Sequence, residues 1–421
     1  MLRPRSLEAH LRRALGQFRV AGVVGARQVG KSTLVQALPG RHFVTLDDLG
    51  ALSAAQADPR GFVSSLPLPA TIDEIQRVPQ LLLAIKEVVD RERRAGAFLV
   101  TGSSRLDTLR GMRESLAGRI ALLTLRPMTV LELAGRPESP LIERLFECVD
   151  ARAAASLFAA AGRLEDLSTN AFLAGGFPEP ALHLDEAGRR AWFREYRKTY
   201  IERDVPAILR VEELPALVRF VTACAATSAQ LLNVTDLARD TGVSVDTARR
   251  WVGVLESTFV LERRMPYWRN IRTRLVKSPK LFLCDSGLAA SLTGVGRWPT
   301  GTDAAKAGSL LETWVHAQLA ALVDLAETPT ELHFYRTHSQ VEVDFVLTRP
   351  GEIIGVEVKH GATVRKKDWA GIESLREQFG KELRFGIVLY RGDAVVPLSA
   401  HAVAVPLASF FGALPQNNCN N

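Results

Sequence analysis

The tightest constraint on this chain is the eight-residue run Gly25-Ala26-Arg27-Gln28-Val29-Gly30-Lys31-Ser32, which fits GxxxxGK[ST]. It follows the apolar β-branched run Val20–Val24 and opens a helix at Ser32–Leu38. Glycines in such a loop let the backbone curl so that its N–H groups face phosphate oxygens. The helix N-terminus adds partial positive charge. In that geometry Lys31 reaches the β- and γ-phosphates of ATP and Ser32 holds Mg2+. The expected nucleotide contacts are Gly25, Ala26, Arg27, Gln28, Val29, Gly30, Lys31, Ser32 and Thr33.

A second half to the motif is present downstream. Pro69-Ala70-Thr71-Ile72-Asp73-Glu74 is an apolar strand ending in paired carboxylates. Asp73 is placed behind the Mg2+, and Glu74 is placed to polarise the attacking water as general base. Val100-Thr101-Gly102-Ser103-Ser104 ends the next strand, with Ser103 a candidate contact to the γ-phosphate. Arg105, Arg113 and Arg119 follow as candidates for an arginine finger across a subunit boundary.

Short β-branched runs and helical stretches alternate over residues 1–137, the pattern of a parallel α/β sheet. Residues 138–300 read mostly helical, divided into a lid at 138–230 and a helix-turn-helix with a basic segment at 231–300. Residues 301–415 start with a helix and then give strands at Glu331–Tyr335, Val341–Leu347, Ile353–Lys359 and Phe385–Tyr390, interrupted by a helix at Trp369–Phe379. The order is therefore α/β, then α, then α/β. At 421 residues the chain is long enough for about two to four cores at roughly 100–200 residues per domain. It has no run of about 18 apolar residues, which excludes a membrane-spanning helix. Charges in Met1–Leu15 stand where a secretory signal needs its apolar segment. Cys148, Cys224, Cys284 and Cys419 form no CxxC pair, so neither a disulfide scaffold nor a zinc ribbon is expected. That usage fits a cytoplasmic protein.

The formal net charge of +7 is unevenly placed. Arg249–Lys280 holds nine Lys/Arg against two Glu, an excess equal to that of the whole chain. Such a block implies a polyanionic partner, or else a solvated, salt-bridged face. Within it, Val234–Leu255 reads as helix-turn-helix, with the turn at Gly242 and Ser244 capping the second helix. Thr247, Arg249 and Arg250 face outward, and Thr258–Arg264 is placed to form a wing. With Arg269, Arg272 and Arg274 they are the candidate nucleic-acid contacts, DNA being the expected partner. Tyr267 and Trp268 are candidates for stacking on bases, whereas Trp251 suits core packing.

Near the C-terminus, Asp344 lies in the apolar strand Val341–Leu347, and Glu357 and Lys359 lie on one face of the next. Glu312 sits on a preceding helix. Carboxylates of this kind bind a divalent cation beside a scissile phosphate, and a lysine orients or deprotonates water. The candidate metal ligands are Glu312, Asp344 and Glu357, beside Ser32 and Asp73 in the nucleotide site. The candidate catalytic residues are Lys31, Glu74, Arg119, Asp344, Glu357 and Lys359. The D-x12-ExK set resembles the PD-(D/E)xK restriction-endonuclease-like fold, with Val343 where that motif has proline.

The segments GARQVGKSTL, ATIDEIQRVPQLL, FLVTGSSRL, ESLAGRI and LTLRPMTVLEL resemble the AAA-type P-loop ATPases of bacteria and archaea that carry an uncharacterised C-terminal domain. FLAGGFPEP, YIERDV, KSPKLFLCDSGLAASL, VEVDFVL and IIGVEVKHG resemble the same family. The resemblance implies a homo-oligomer, a hexameric ring among its forms, with a helical lid, a winged helix-turn-helix and a nuclease-like end. It implies Arg119 as the finger, and Gly175-Gly176-Phe177-Pro178 resembles a GGxP element that approaches the nucleotide from the lid. Two functions are expected from these features. One is an ATP-hydrolysing enzyme that remodels or translocates DNA, including branched or forked DNA, with a C-terminal domain that grips or cleaves it. The other is a nucleotide-controlled oligomeric switch or scaffold in stress or defence, with an inert nuclease-like domain.

Overall fold

The computed structural model describes residues 3–104, 116–137, 139–165, 167–205, 214–268, 278–337 and 339–414. Its N-terminal part is a five-stranded, all-parallel sheet in the order β2-β3-β4-β1-β5. The strands are β1 (Val20–Val24), β2 (His42–Thr45), β3 (Ala70–Asp73), β4 (Phe98–Gly102) and β5 (Ile120–Thr124). Every residue of β1, β3 and β4 is buried, as a parallel sheet covered on both faces requires. Helices α1 (Leu7–Gln17), α2 (Lys31–Gln36) and α3 (Leu81–Glu92) belong to this layer. On α3, Leu81, Leu82, Ala84, Ile85, Val88 and Val89 form one buried stripe at helical spacing.

The middle of the chain gives α4 (Glu186–Tyr196), which runs into a π-helical stretch at Arg197–Asp204, and then α5 (Leu214–Ala226). Next come β6 (Gln230–Leu231), α6 (Val234–Thr241), α7 (Val245–Ser257), β7 (Leu261–Arg264) and β8 (Lys280–Leu283). The three strands form an antiparallel sheet with β8 at its centre. Gly242, at φ 76°, ends α6 in the left-handed conformation that glycine adopts without strain. Ser244 caps α7 by accepting the Thr247 N–H at 3.1 Å. One apolar core runs unbroken from β1 and β4 through Phe177 and Tyr196 to Trp251 and Leu288.

The C-terminal part opens with α8 (Ser286–Leu292) and the long helix α9 (Ala304–Asp324). A six-stranded mixed sheet follows in the order β13-β14-β12-β11-β10-β9. Its strands are β9 (Glu331–Arg336), β10 (Glu342–Arg349), β11 (Glu352–Val358), β12 (Leu383–Tyr390), β13 (Val396–Pro397) and β14 (Ala402–Pro406). Helix α10 (Ala370–Phe379) covers one face with Ile372, Leu375 and Phe379. The other face is covered by α9 and by the helices Leu141–Glu147 and Ala151–Ala159, with Phe158, Trp314, Phe345 and Phe385 in one cluster. Those two helices stood in the expected lid. They lie instead on the far sheet, because its second face needs more apolar cover than α9 alone supplies.

Candidate nucleotide site and acidic centre

The nucleotide site lies at the carboxyl edge of the parallel sheet, where β1, β3 and β4 all end. Gly30 sits at φ 94° as the residue before α2, so the loop turns into the helix with its N–H groups exposed. A Cβ on Gly25 would stand 2.1 Å from the Leu125 carbonyl oxygen, which explains why only glycine fits between β1 and the end of β5. Lys31 is buried, and its ammonium donates to the carbonyls of Gly25 at 3.1 Å and Ala26 at 2.9 Å. Burial lowers its pKa to about 8, against the raising influence of Glu74 and Asp73. Ser32 donates to Asp73 at 2.9 Å, and the Thr101 hydroxyl donates to the same carboxylate. The Ser32–Asp73 pair offers the hard oxygen donors that suit Mg2+.

Glu74 occupies the left-handed region at φ 59°, a costly conformation for a residue with a Cβ. Its N–H donates to Thr101 Oγ1 at 3.2 Å, and its carboxylate accepts from the Gln76 amide. That amide also donates to Ser103 at 2.9 Å, so Glu74, Gln76 and Ser103 form one polar group above Lys31. These residues line a cavity of about 1060 Å3 whose far wall is Pro178, Trp192, Tyr196, Tyr200 and Arg203. The lid is fixed to the loop by Tyr196, whose hydroxyl donates to the Arg27 carbonyl at 3.3 Å. From the other side, Arg5 donates to the carbonyls of Val29 at 2.7 Å and Arg126 at 2.6 Å.

The Gly175-Gly176 turn is held by Asp285, which accepts the Gly176 N–H at 2.6 Å and caps α8 through the Leu288 N–H at 2.8 Å. Burial raises the Asp285 pKa to about 6, and the backbone N–H groups of Gly176, Leu288 and Gly287 limit the rise. A Cβ on Gly175 would meet this carboxylate at 2.2 Å, and one on Gly176 would meet the Met128 carbonyl oxygen at 2.2 Å. The turn thus places Pro178 on the nucleotide cavity and is also a tight interhelical joint.

The C-terminal acids do converge. The Val358 N–H donates to Asp344 Oδ2 at 2.8 Å, the Asp344 N–H donates to Glu357 Oε2 at 3.4 Å, and Lys359 donates to Glu357 Oε1 at 2.5 Å. Burial raises the Glu357 pKa, Asp344 adds to the rise, and Lys359 holds it down. Glu312, Glu342 and Asp344 bring one oxygen each to within 4.8 Å of one another. The cation position among them is filled by Lys280, which donates to Glu312 Oε1 at 2.6 Å, pairs with Glu342, and stands 3.6 Å from Asp344 Oδ1. Lys280 is 1% exposed. Burial opposes its charge, yet Glu312, Asp344 and Glu342 together raise its pKa above the ordinary lysine value. With this ammonium in place the donor set does not fit a resident divalent ion.

Residues 17–134 match the family described as an AAA domain, whereas 165–298 and 307–410 each match a domain of unknown function. Uncharacterised proteins of Mycobacterium tuberculosis and Mycobacterium bovis are each 30% identical over 411 residues, covering 96% of this chain and 84% of theirs. The chain belongs to their family. Its N-terminal part is an AAA-type P-loop ATPase domain. Among solved structures, a Walker-type ATPase of Pyrococcus abyssi overlays with a TM-score of 0.40 at 15% identity, covering 69% of this chain and 99% of that one. The AMPPCP-bound DnaA of Aquifex aeolicus overlays at 0.24 and 11% identity, covering 59% of this chain and 85% of that one. Among the described residues no helix is long and apolar enough to cross a membrane.

Other expected site residues are scattered. Arg119 precedes β5 and so lies at the opposite edge of the sheet from its own nucleotide cavity. Its guanidinium donates to Asp90 on α3 at 3.1 Å. Any finger role therefore belongs to a neighbouring copy's site. Arg249 and Arg250 are exposed on α7, Arg249 paired with Asp246 at 3.1 Å. Thr247 is half-buried beside Ser244. Arg105, Arg113, Arg269, Arg272 and Arg274 lie outside the described residues. Arg264 and Lys280 turn inward from the basic block, which corrects its reading as one solvent-facing surface, whereas Arg263 stays exposed. Arg263 pairs with Glu256 at 2.5 Å, Arg264 with Glu262 at 2.6 Å, and Lys280 with the acidic centre. Tyr267 is not free to stack on bases, because it packs against Phe379 at 5.1 Å. The sequence reading missed Thr101, Gln76, Asp285, Glu342 and Lys280. For Glu342 a signal existed, since it lies two residues before Asp344 on the same strand face.

Proposed function

We propose that this protein is an Mg2+-dependent ATPase whose nucleotide cycle acts on DNA, as a homo-oligomer. The convergence of Lys31, Ser32 and Glu74 on one lid-walled cavity, with Asp73 behind Ser32, carries the hydrolytic half. Lys31, drawn from the Gly25 and Ala26 carbonyls to the triphosphate, neutralises charge on the β- and γ-phosphates. Ser32 and Asp73 would hold Mg2+, which would supply positive charge against the triphosphate. Glu74 accepts the proton of the attacking water, with Gln76 and Ser103 fixing its carboxylate.

The polymer half rests on the exposed Arg249 and Arg250 in the N-terminal half of α7, in a helix-turn-helix followed by a β7–β8 wing. It rests also on the C-terminal strands, where Asp344, Glu357 and Lys359 support a PD-(D/E)xK-like unit that engages the same polymer. The deciding experiment is the ATPase rate of the purified chain with single-stranded, duplex and four-way DNA, alongside binding at several salt concentrations. Stimulation with salt-dependent binding is expected. No stimulation and no binding by any of them would remove the polymer half and leave a bare ATPase.

The filling of the acidic centre by Lys280 favours a second reading, a nucleotide-controlled oligomeric switch or scaffold with an inert nuclease-like domain. ATP-dependent assembly with no nicking in Mg2+ or Mn2+, in parent and Lys359→Ala alike, supports it. Sustained nicking by the parent chain overturns it.

A further inference from the structure

We propose that Lys280 is an interlock: its ammonium occupies the cation position of the acidic centre, so that seating of β8 and divalent-metal binding by Glu312, Glu342 and Asp344 exclude one another. This deepens the reading of the C-terminal unit as phosphate-directed, but its test reads metal occupancy, so absence of cleavage and absence of the interlock are separate results.

Four carboxylates meet here: Glu312 from α9, Glu342 and Asp344 from β10, and Glu357 from β11. Their cations are Lys280, Lys359 on Glu357, and Arg336 on Glu342 at 2.7 Å. Lys359 and Arg336 belong to the C-terminal sheet region itself. Lys280 alone of the three is delivered by another sheet, β6-β8-β7. Three half-buried acids and a buried one, gathered this closely, repel one another unless a cation stands between them. A lysine ammonium and a hydrated metal ion compete for that place, and both cannot hold it.

The strand that brings Lys280 is anchored where the units of the molecule meet. Lys280 is the cross-strand partner of Arg264 on β7. Arg264 donates to His316 Nε2 at 2.7 Å, and His316 lies one helical turn beyond Glu312 on α9. The β7–β8 hairpin therefore clasps α9 by two cations through two side chains on one face. His316 is held neutral by burial, stacked 4.0 Å from the Phe282 ring. On the same hairpin, Glu262 accepts from Arg126, which follows β5 of the ATPase sheet and also donates to Asp324 at 2.7 Å. The carboxyl edge of that sheet is thus ion-paired to β7, the strand that pairs with the one carrying Lys280.

The test is Mn2+ binding to the full-length chain without nucleotide, followed by electron paramagnetic resonance and by thermal melting. The parent is expected to show no Mn2+ site that Asp344→Asn removes. Lys280→Met is expected to gain such a site, with a melting temperature that rises with added Mn2+ by mass action. The gain is expected to vanish in Lys280→Met with Asp344→Asn. Because Lys280→Met alone leaves the carboxylates uncompensated, Lys280→Met with Glu357→Gln serves as a second variant, of lower charge but with all three proposed ligands kept. A parent chain that already binds Mn2+ through Asp344 would overturn the interlock. So would either Lys280 variant that keeps parental ATP turnover yet gains no site.

Discussion

Two buried lysines stand at the two chemical centres of this molecule, and their surroundings push them in opposite directions. Lys31 rests on the carbonyl oxygens of Gly25 and Ala26, dipoles too weak to offset burial, and its pKa falls to about 8. Lys280 rests among Glu312, Glu342 and Asp344, whose full charges outweigh burial and raise its pKa. The first cation makes no ion pair among the described residues and stands at the edge of a cavity. The second is already neutralised. Burial alone therefore does not mark a functional lysine; what it rests on does.

The sharpest challenge to the receptive centre is Glu74→Gln. It should lower kcat by roughly 10²–10⁴ while ATP still binds, as loss of a general base does. Turnover and nucleotide binding measured together check this, and unchanged turnover would take the proton-accepting role from Glu74. For the satisfied centre, Lys280→Ala should cost about 3–5 kcal/mol, the penalty for stranding buried charge. Denaturant unfolding at low metal reads it, and a loss below about 1 kcal/mol would mean the carboxylates had already shared protons among themselves.

The pH response separates the two lysines further. ATP binds the charged form of Lys31, so binding raises its pKa above the free value of about 8. Affinity should hold steady below pH 8 and then fall by up to about tenfold per pH unit as pH rises through the free-state value. Calorimetry in buffers of different ionisation heat should report proton uptake on binding above pH 8. A flat affinity from pH 7 to 9.5 would contradict the shift. Smallest is Arg249→Ala on the exposed face of α7. It should leave stability within about 0.5 kcal/mol and lower the salt slope of DNA binding by roughly one.

Much of the first centre could be read without coordinates, and the reason is locality. The phosphate loop lies within one strand-loop-helix unit, and Asp73 and Glu74 end a strand of fixed direction. The β-branched runs at Val20–Val24 and Ala70–Asp73 emerge as strands at those residues. The acidic centre was half legible, since Asp344, Glu357 and Lys359 share neighbouring strands. Lys280 was not, because it comes from a different sheet and read equally well as one of nine basic residues on a polymer-facing surface. Nothing in periodicity distinguishes an arginine that meets solvent from Arg264, which meets Glu262 and His316. Asp285 was hidden for the same reason: its partner Gly176 lies 109 residues away.

Asp285 joins two things that sequence keeps apart. One carboxylate grips the turn beside the nucleotide cavity and the first turn of the helix that continues from β8. The turn that carries Pro178 and the chain five residues beyond Lys280 therefore hang on one anchor, and replacing this single buried acid would loosen both at once.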